Sequence, residues 1–523
     1  MSDLDQSSRK PRLAALRSYV RATAEFPGNL LGKTYTRRRS LAVVGNAEAG
    51  KTVFLTSLVN HLLNHNPKLF QLDDRNTRIC NSKKRHAASV DGWREFPYLE
   101  YRTAIAEQGT WPVKTTACSE FQLDFSTAPW GHRYQLTLYD VPGERFSDAG
   151  MVKADYAAWS RDQIEHLRMA RAGRAGANGG MRRVAEYLRL ADSETEVAAS
   201  EAELIVAYKR ALIDLRDNYF CQISPSTFRI GVDVKNGSRL TLKDDVQAVL
   251  TEHHGRVPDD LDERIVATRR VGLAEQEFCP LGDVWRTSDP LLIDCFEQRY
   301  QTYRSKVVLP LFGKLAQCEG VVALFDVMDV LGAGPRHLNE SQLFSEQLHK
   351  AFEPDKGVLT MAAKLLGIAR HTSRIAVVAS QCDRCHPEDW DYLKNFVNSL
   401  YAQPFRDASL PCEAFTCAAV KSTGDVDEKQ LCGRLACSDD ESAEAAWPKV
   451  VYGVSRIPNR FVDLMNDFDR PPDDWNPSEF LGFPRVQPEF PEVHCSAPFH
   501  KDLDAVFGWT TGWWPKAGRS VQR

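Results

Sequence analysis

The chain has 523 residues, a length that suits about three domains, and 43% of them are hydrophobic. With 26% charged residues this composition excludes wholesale disorder, and a net charge of −4 excludes a generic nucleic-acid coat. No run of consecutive apolar residues is long enough for a spanning helix, and MSDLDQSSRKPR lacks the apolar core of a secretory signal. The thirteen cysteines are therefore expected as reduced thiols in a cytoplasmic chain.

Charge is unevenly spread. Residues 1–40 carry nine Lys or Arg against three acids, or +6, which leaves −10 on the remainder. Within them, residues 12–25 read as a short amphipathic helix with Leu13, Leu16 and Val20 on one face. Two expectations stand for this basic segment. It packs on the domain, or it makes a weak contact with a partner or with anionic lipid at the inner membrane. Residues 27–39, PGNLLGKTYTRRR, read as a loop.

Leu41-Ala42-Val43-Val44 then reads as a strand buried on both faces. Gly45-Asn46-Ala47-Glu48-Ala49-Gly50-Lys51-Thr52 follows, matching G-x-x-x-x-G-K-[ST]. Glycines let the amides from Asn46 through Val53 converge on a phosphate chain, with the next helix aiming its N-terminus at the same anion. Lys51 supplies a mobile cation for the outer phosphates, and the Thr52 hydroxyl suits Mg²⁺. The helix after it carries Phe54, Leu55, Leu58 and Leu62 on one side.

Thr115-Thr116 precedes the next strand. One of these two hydroxyls is expected to complete Mg²⁺ coordination when a γ-phosphate is present; the residues do not choose between them. Strands at 119–125 and 133–141 form a hairpin, with Phe125 to Val141 as the antiparallel edge of the sheet. Asp140-Val141-Pro142-Gly143 ends it. There Asp140 can hold Mg²⁺ through water, and the Gly143 amide can approach a γ-phosphate.

Stretches 152–172, 181–218 and 286–317 have helical spacing, with soft loops at 174–180 and 235–238. Strand runs resume at 320–327, 373–380 and 413–420, separated by helical 340–370 and 388–402. Such alternation implies a parallel sheet with crossover helices. Residues 424–446 read as an acidic loop, and 470–498, with seven prolines, as an irregular wrap.

In this order of motifs the chain resembles the P-loop GTPases. The resemblance implies that Asp383, in Ser380-Gln381-Cys382-Asp383, accepts both ring N–H groups of guanine. Gln381 stands where the family has lysine. Thr416-Cys417-Ala418-Ala419 looks like the last base-contacting motif, with Cys417 where a small residue usually sits. Glu144 stands where many GTPases place the glutamine that orients water. It is read either as polarising that water or as a solvent-facing residue. Lys114 and Arg145 are candidates for a cation in cis. More finely, the chain resembles the YcjX-like (DUF463) family of bacterial stress-associated GTPases. GNAEAGKT, WPVKTT, DVPGE, the long helical insertion, FCPL at 278–281 and the proline-rich tail carry that resemblance.

Cys382-Asp383-Arg384-Cys385-His386 also matches the haem-attachment pattern C-x-x-C-H, and Cys382, Cys385, His386 and Cys412 form a zinc-like set. Both are weak readings, since haem attachment needs export and no second C-x-x-C supports zinc. The expected fold is α/β: a P-loop NTPase (Ras-like GTPase) sheet flanked by helices, with a large helical domain inserted. The expected parts are a basic segment at 1–40, half-domains at 41–147 and 319–470, the insertion at 148–318 and a tail at 471–523. The expected activity is Mg²⁺-dependent binding and hydrolysis of GTP to GDP as a switch, with an effector still to be found. The alternatives are an ATPase or kinase, or a nucleotide-binding stress scaffold with little turnover.

Overall fold

The computed structural model describes residues 36–46, 48–73, 77–85, 93–112, 115, 117–129, 131–172, 181–192, 199–217, 224–228, 230–232, 239–241, 277–333, 335–352, 372–407, 410–427, 430–434, 449–454, 457, 486–489 and 498–513. The helix expected over 12–25, the loops 174–180 and 235–238, Ala47, Lys114, Thr116 and most of the proline-rich stretch lie outside them.

The strands, in chain order, are β1 (Thr36–Gly45), β2 (Arg78–Arg85), β3 (Arg94–Glu95), β4 (Ser119–Ala128), β5 (His132–Asp140), β6 (Ile230–Val232), β7 (Arg239–Thr241), β8 (Gly320–Phe325), β9 (Arg374–Ser380) and β10 (Cys412–Cys417). Three more follow: β11 (Gly424–Asp427), β12 (Gln430–Gly433) and β13 (Val450–Gly453). The main sheet runs β10-β9-β8-β1-β5-β4-β2, with β3 on β4. From β10 to β5 all neighbours are parallel. β4 turns antiparallel, and β2 pairs antiparallel with it.

The second half of β1, Leu41–Gly45, and strands β8 and β9 are apolar and buried because helices cover both faces. Leu41 and Val43 of β1 join one apolar cluster with Phe54, Leu58 and Leu62 of the Lys51–Leu63 helix and with Val506 and Phe507 of the Leu503–Thr510 helix. Ala42 and Val44 face the other way, into a larger cluster. That cluster holds the helices Tyr156–Ala172, Arg182–Ala191, Glu201–Asp217, Pro290–Tyr303, Pro335–Phe352 and Trp390–Leu400. The helices between β5 and β8 thus share one apolar core with the sheet. Each fully buried Leu, Val or Phe contributes about 1.5–3 kcal/mol.

Local chemistry sets the helix ends. Asp289 caps Pro290–Tyr303 by accepting the Leu292 N–H at 3.0 Å, with Pro290 in the first turn. Ser200 and Glu203 form a reciprocal capping box before Glu201–Asp217.

Three expectations are corrected. Residues 36–39 are strand, since their backbone pairs in register with Arg133 to Leu136 of β5. The hairpin is not the edge of the sheet, because β2 lies outside β4. β2 has a register shift between Cys80 and Lys83, which breaks the alternation that would have revealed it. Within the acidic 424–446 stretch, β11 and β12 pair with β13 as a three-stranded antiparallel sheet. Their short polar runs carry almost no periodic signal.

Candidate functional site

The loop between β1 and the Lys51–Leu63 helix begins on Gly45, whose φ is +149°. A Cβ there would lie 2.4 Å from the Leu324 carbonyl oxygen of β8, so only glycine fits. Gly50 closes the loop in the left-handed region. Lys51 is buried and donates to the Gly45 and Asn46 carbonyls at 3.0 and 2.5 Å. Its ammonium is thereby curled over its own loop.

The ends of β1, β8, β9 and β10 and the segments after β5 and before β4 enclose a cavity of about 280 Å³. Glu48, Gly50, Lys51, Thr52 and Val53 line one side. Thr115, Gly143 and Glu144 line the next, and Gln381, Asp383, Cys417, Ala418 and Ala419 the far end. The phosphate-loop motif, the threonine pair and the D-x-x-G glycine point to seven of these residues, and the resemblance to P-loop GTPases implies Glu144 and the five at the far end. Asn46 lies in the same loop, without facing the cavity.

At the near end the Thr52 and Thr115 hydroxyls are 2.6 Å apart, and Thr115 donates to Asp140 Oδ2 at 3.0 Å. Asp140 is buried, and its Oδ1 accepts no hydrogen bond. Burial pushes its carboxyl up to about 6, against the pull of Lys51, Thr115 and Thr52. Two hydroxyls beside an orphaned carboxylate oxygen make a hard, all-oxygen donor set, which fits Mg²⁺. Glu144 is 2% exposed, which removes the solvent-facing reading.

At the far end Asp383 is buried, and burial raises its carboxyl pKa. Its Oδ2 accepts the Ser422 N–H at 2.8 Å, and its carbonyl accepts from Thr423 Oγ1. Gln381 is left-handed at φ 55°. Its amide donates to the Glu48 carbonyl at 3.1 Å and to Asp326 Oδ2 at 2.8 Å. Arg384, also buried, bridges Asp326 and Asp329 at 2.9 Å each. The Gln381–Arg384 loop is therefore tied to the Lys51 loop by a neutral amide, backed by an ion pair. The Ala418 N–H and C=O are both taken by the Lys501 backbone, and the Ala419 carbonyl accepts from Ser57.

A family model described as "YcjX-like family, DUF463" matches residues 40–244 and 273–510. The chain belongs to that family. Among curated relatives, the Ras-like GTPase YcjX of Shewanella oneidensis is 29% identical over 164 residues, 27% of this chain and 33% of that protein. The protein of the same name from Escherichia coli K12 is 30% identical over 153 residues, 25% and 31% respectively. The chain thus aligns with about a third of the length of these YcjX relatives.

In this YcjX-like chain Arg145 does not line the cavity. Its guanidinium is buried and donates to Ser226 Oγ at 3.2 Å. The zinc-like set is not gathered either: Cys412 opens β10, whereas Cys382 and Cys385 follow the opposite end of the neighbouring β9. Among the described residues no group of three or more His, Cys, Asp or Glu could hold a metal. No helix of the described residues is long and apolar enough to cross a membrane.

Sequence reasoning missed several cavity residues. Trp111 lines the mouth and donates its indole N–H to the Val486 carbonyl at 2.7 Å. Arg384 and Val486 also line it. Asp326, which does not line the cavity but holds Gln381 and Arg384 behind it, carried a readable signal as a carboxylate at the tip of a buried strand. Val486 carried none.

Proposed function

We propose that the chain is a Mg²⁺-dependent GTP-binding protein that hydrolyses GTP to GDP and phosphate and acts as a nucleotide-dependent switch. One observation carries this reading. A single cavity is lined at one end by Lys51, Thr52, Thr115 and Gly143 and at the other by the Asp383 carboxylate. That is a polyphosphate environment facing an acceptor for paired ring N–H donors. The name Ras-like GTPase, borne by both YcjX relatives, agrees with it.

Each group then has a task. Lys51 and the amides of Asn46 to Val53 bind phosphates. Thr52, Thr115 or Thr116, and Asp140 hold Mg²⁺, which neutralises charge developing on the phosphates. Gly143 offers its amide to the γ-phosphate. Glu144, buried beside it, polarises water. Asp383 accepts two guanine N–H groups, which adenine lacks. Gln381 holds the base-side loop to the Lys51 loop, and Cys417, Ala418 and Ala419 floor the base end.

Calorimetry with GDP, a non-hydrolysable GTP analogue and ADP, with and without Mg²⁺, tests this. Guanine nucleotides should bind and ADP should not. Asp383→Asn should move the preference to xanthine nucleotides. ADP binding that is indifferent to Asp383→Asn would favour an ATPase, and no nucleotide binding would overturn the reading.

A further inference from the structure

The segment after β5, Gly143–Val152, is a 3₁₀ helix of ten residues. Such helices seldom exceed three or four residues, because their hydrogen bonds are poorly aligned. A run this long needs outside support. Its first residues, Gly143 and Glu144, face the cavity. Its remainder is held by the helical region between β5 and β8, and by the Pro335–Phe352 helix after β8.

The grip is polar and buried. Asp148 Oδ2 accepts the Tyr303 hydroxyl at 2.6 Å. Oδ1 accepts Ser224 Oγ at 3.0 Å and the Ser226 N–H at 2.9 Å. Arg145 donates to Ser226 Oγ, which lies 3.2 Å from the Tyr303 hydroxyl. Arg304 donates to the Met151 and Val152 carbonyls at 2.7 Å each. Phe146 packs between Phe312 and Phe344.

An apolar side chain at 148 would fill this core at less cost. A buried carboxylate with three donors admits one geometry and penalises departures from it. It sits a turn and a half from the residues that face the cavity. We propose that Asp148 and Tyr303 are positioning residues: through them the helical region fixes the Gly143–Glu144 turn, so that hydrolysis depends on the clamp and nucleotide binding does not. This rests on the GTPase reading above. Asp148 and Tyr303 touch no nucleotide and act through the turn.

The test uses the full chain with Tyr303→Phe, which keeps the ring and removes one donor, and Ser226→Ala as a second variant. Phosphate release should give a kcat lower by about tenfold, with KM and the affinities for GDP and a GTP analogue within about twofold. Amide exchange over residues 143–152, measured without nucleotide, should accelerate in both variants. Unchanged kcat and exchange in both variants would overturn the clamp. So would a fall in affinity that matches the fall in kcat, since the clamp would then support the whole site. If the wild type binds no guanine nucleotide, the GTPase reading fails by itself, and the exchange measurement still decides whether the clamp exists.

Discussion

The Thr52 hydroxyl lies 2.6 Å from that of Thr115, across 63 residues of chain, and both sit against Asp140. Thr52 belongs to the rigid start of a helix, and Thr115 to the segment leading into β4. In the proposed switch, Thr52 would hold Mg²⁺ with either nucleotide and Thr115 only when a γ-phosphate is present. Thr115→Ala should therefore weaken the GTP analogue about tenfold in Mg²⁺ and leave GDP nearly unchanged. Thr52→Ala should weaken both. Calorimetry with each nucleotide reads the difference, and equal losses for Thr115→Ala would count against the assignment.

If Asp140 holds Mg²⁺ as proposed, the cation competes with the proton there. Burial holds its carboxyl at about 6, above the ordinary 3.8. By itself this group favours the folded state below 3.8, and that contribution is lost as pH rises through 6. Mg²⁺ needs the carboxylate, so Mg²⁺-dependent nucleotide affinity should fall by up to tenfold per pH unit below about 6. Titrations at pH 5, 6 and 7 check it. A Mg²⁺ effect of constant size would be inconsistent with Asp140 in the donor set.

His61 predicts acid lability. It is fully buried, stacked on Phe70 and edge-on to His500. Burial, with His500 and His65 nearby, lowers its pKa to about 3. Burial also lowers that of His500, against the opposing charges of Asp504 and Asp502. A lowered histidine gives stability that is present above 6.5 and lost as pH falls toward 3. The loss is up to about 1.4 kcal/mol per pH unit for each such group. Denaturant unfolding of His61→Leu between pH 7 and 4 should show a shallower slope than the wild type.

Trp111 joins the segment before β4 to the tail through Val486. Val486 in turn packs on Gly433, while Glu489 donates to Ser422, the residue whose amide holds Asp383. Trp111→Phe keeps an aromatic wall and removes the donor. Nucleotide dissociation, followed by chase of a fluorescent GDP, should accelerate about fivefold. An unchanged rate would show that the mouth does not limit release.

Gly45→Ala would drive a methyl group into the Leu324 carbonyl. The strain should cost about 3 kcal/mol, or leave no soluble protein. Thermal unfolding compared with Ala49→Gly, in the same loop, separates this clash from general loop sensitivity.

The buried strands were legible because a parallel strand covered on both faces reads as an unbroken apolar run, as Leu41 to Val44 and Gly320 to Phe325 do. Residues 36–39 hid because their order comes from backbone pairing with β5 and their run of arginines is polar: Arg38 is exposed, Arg37 lies against Tyr134 and Arg39 pairs with Glu319. β2 and the β11–β13 sheet hid for a related reason: short, polar strands are defined by their partners. At the cavity, Gly45, Lys51 and Asp140 stand out by spacing, and Asp383 by the resemblance to P-loop GTPases. Trp111, Arg384 and Val486 do not, since their places depend on tertiary partners: Trp111 and Val486 on each other across 375 residues, and Arg384 on Asp326 and Asp329. Gln381 read as a departure from a motif. Its bonds to Glu48 and Asp326 give the substitution a physical sense that no spacing rule contains.

The parallel pairing of β1 with β8 has a consequence for biosynthesis. The apolar flank of Leu41 to Val44 leaves the ribosome long before Gly320 to Phe325, and β9 and β10 come later still. At ordinary translation speeds the wait is on the order of tens of seconds. Throughout it, a hydrophobic strand edge stands without its neighbour. A translational pause before β8 should therefore threaten the yield more than one after β10.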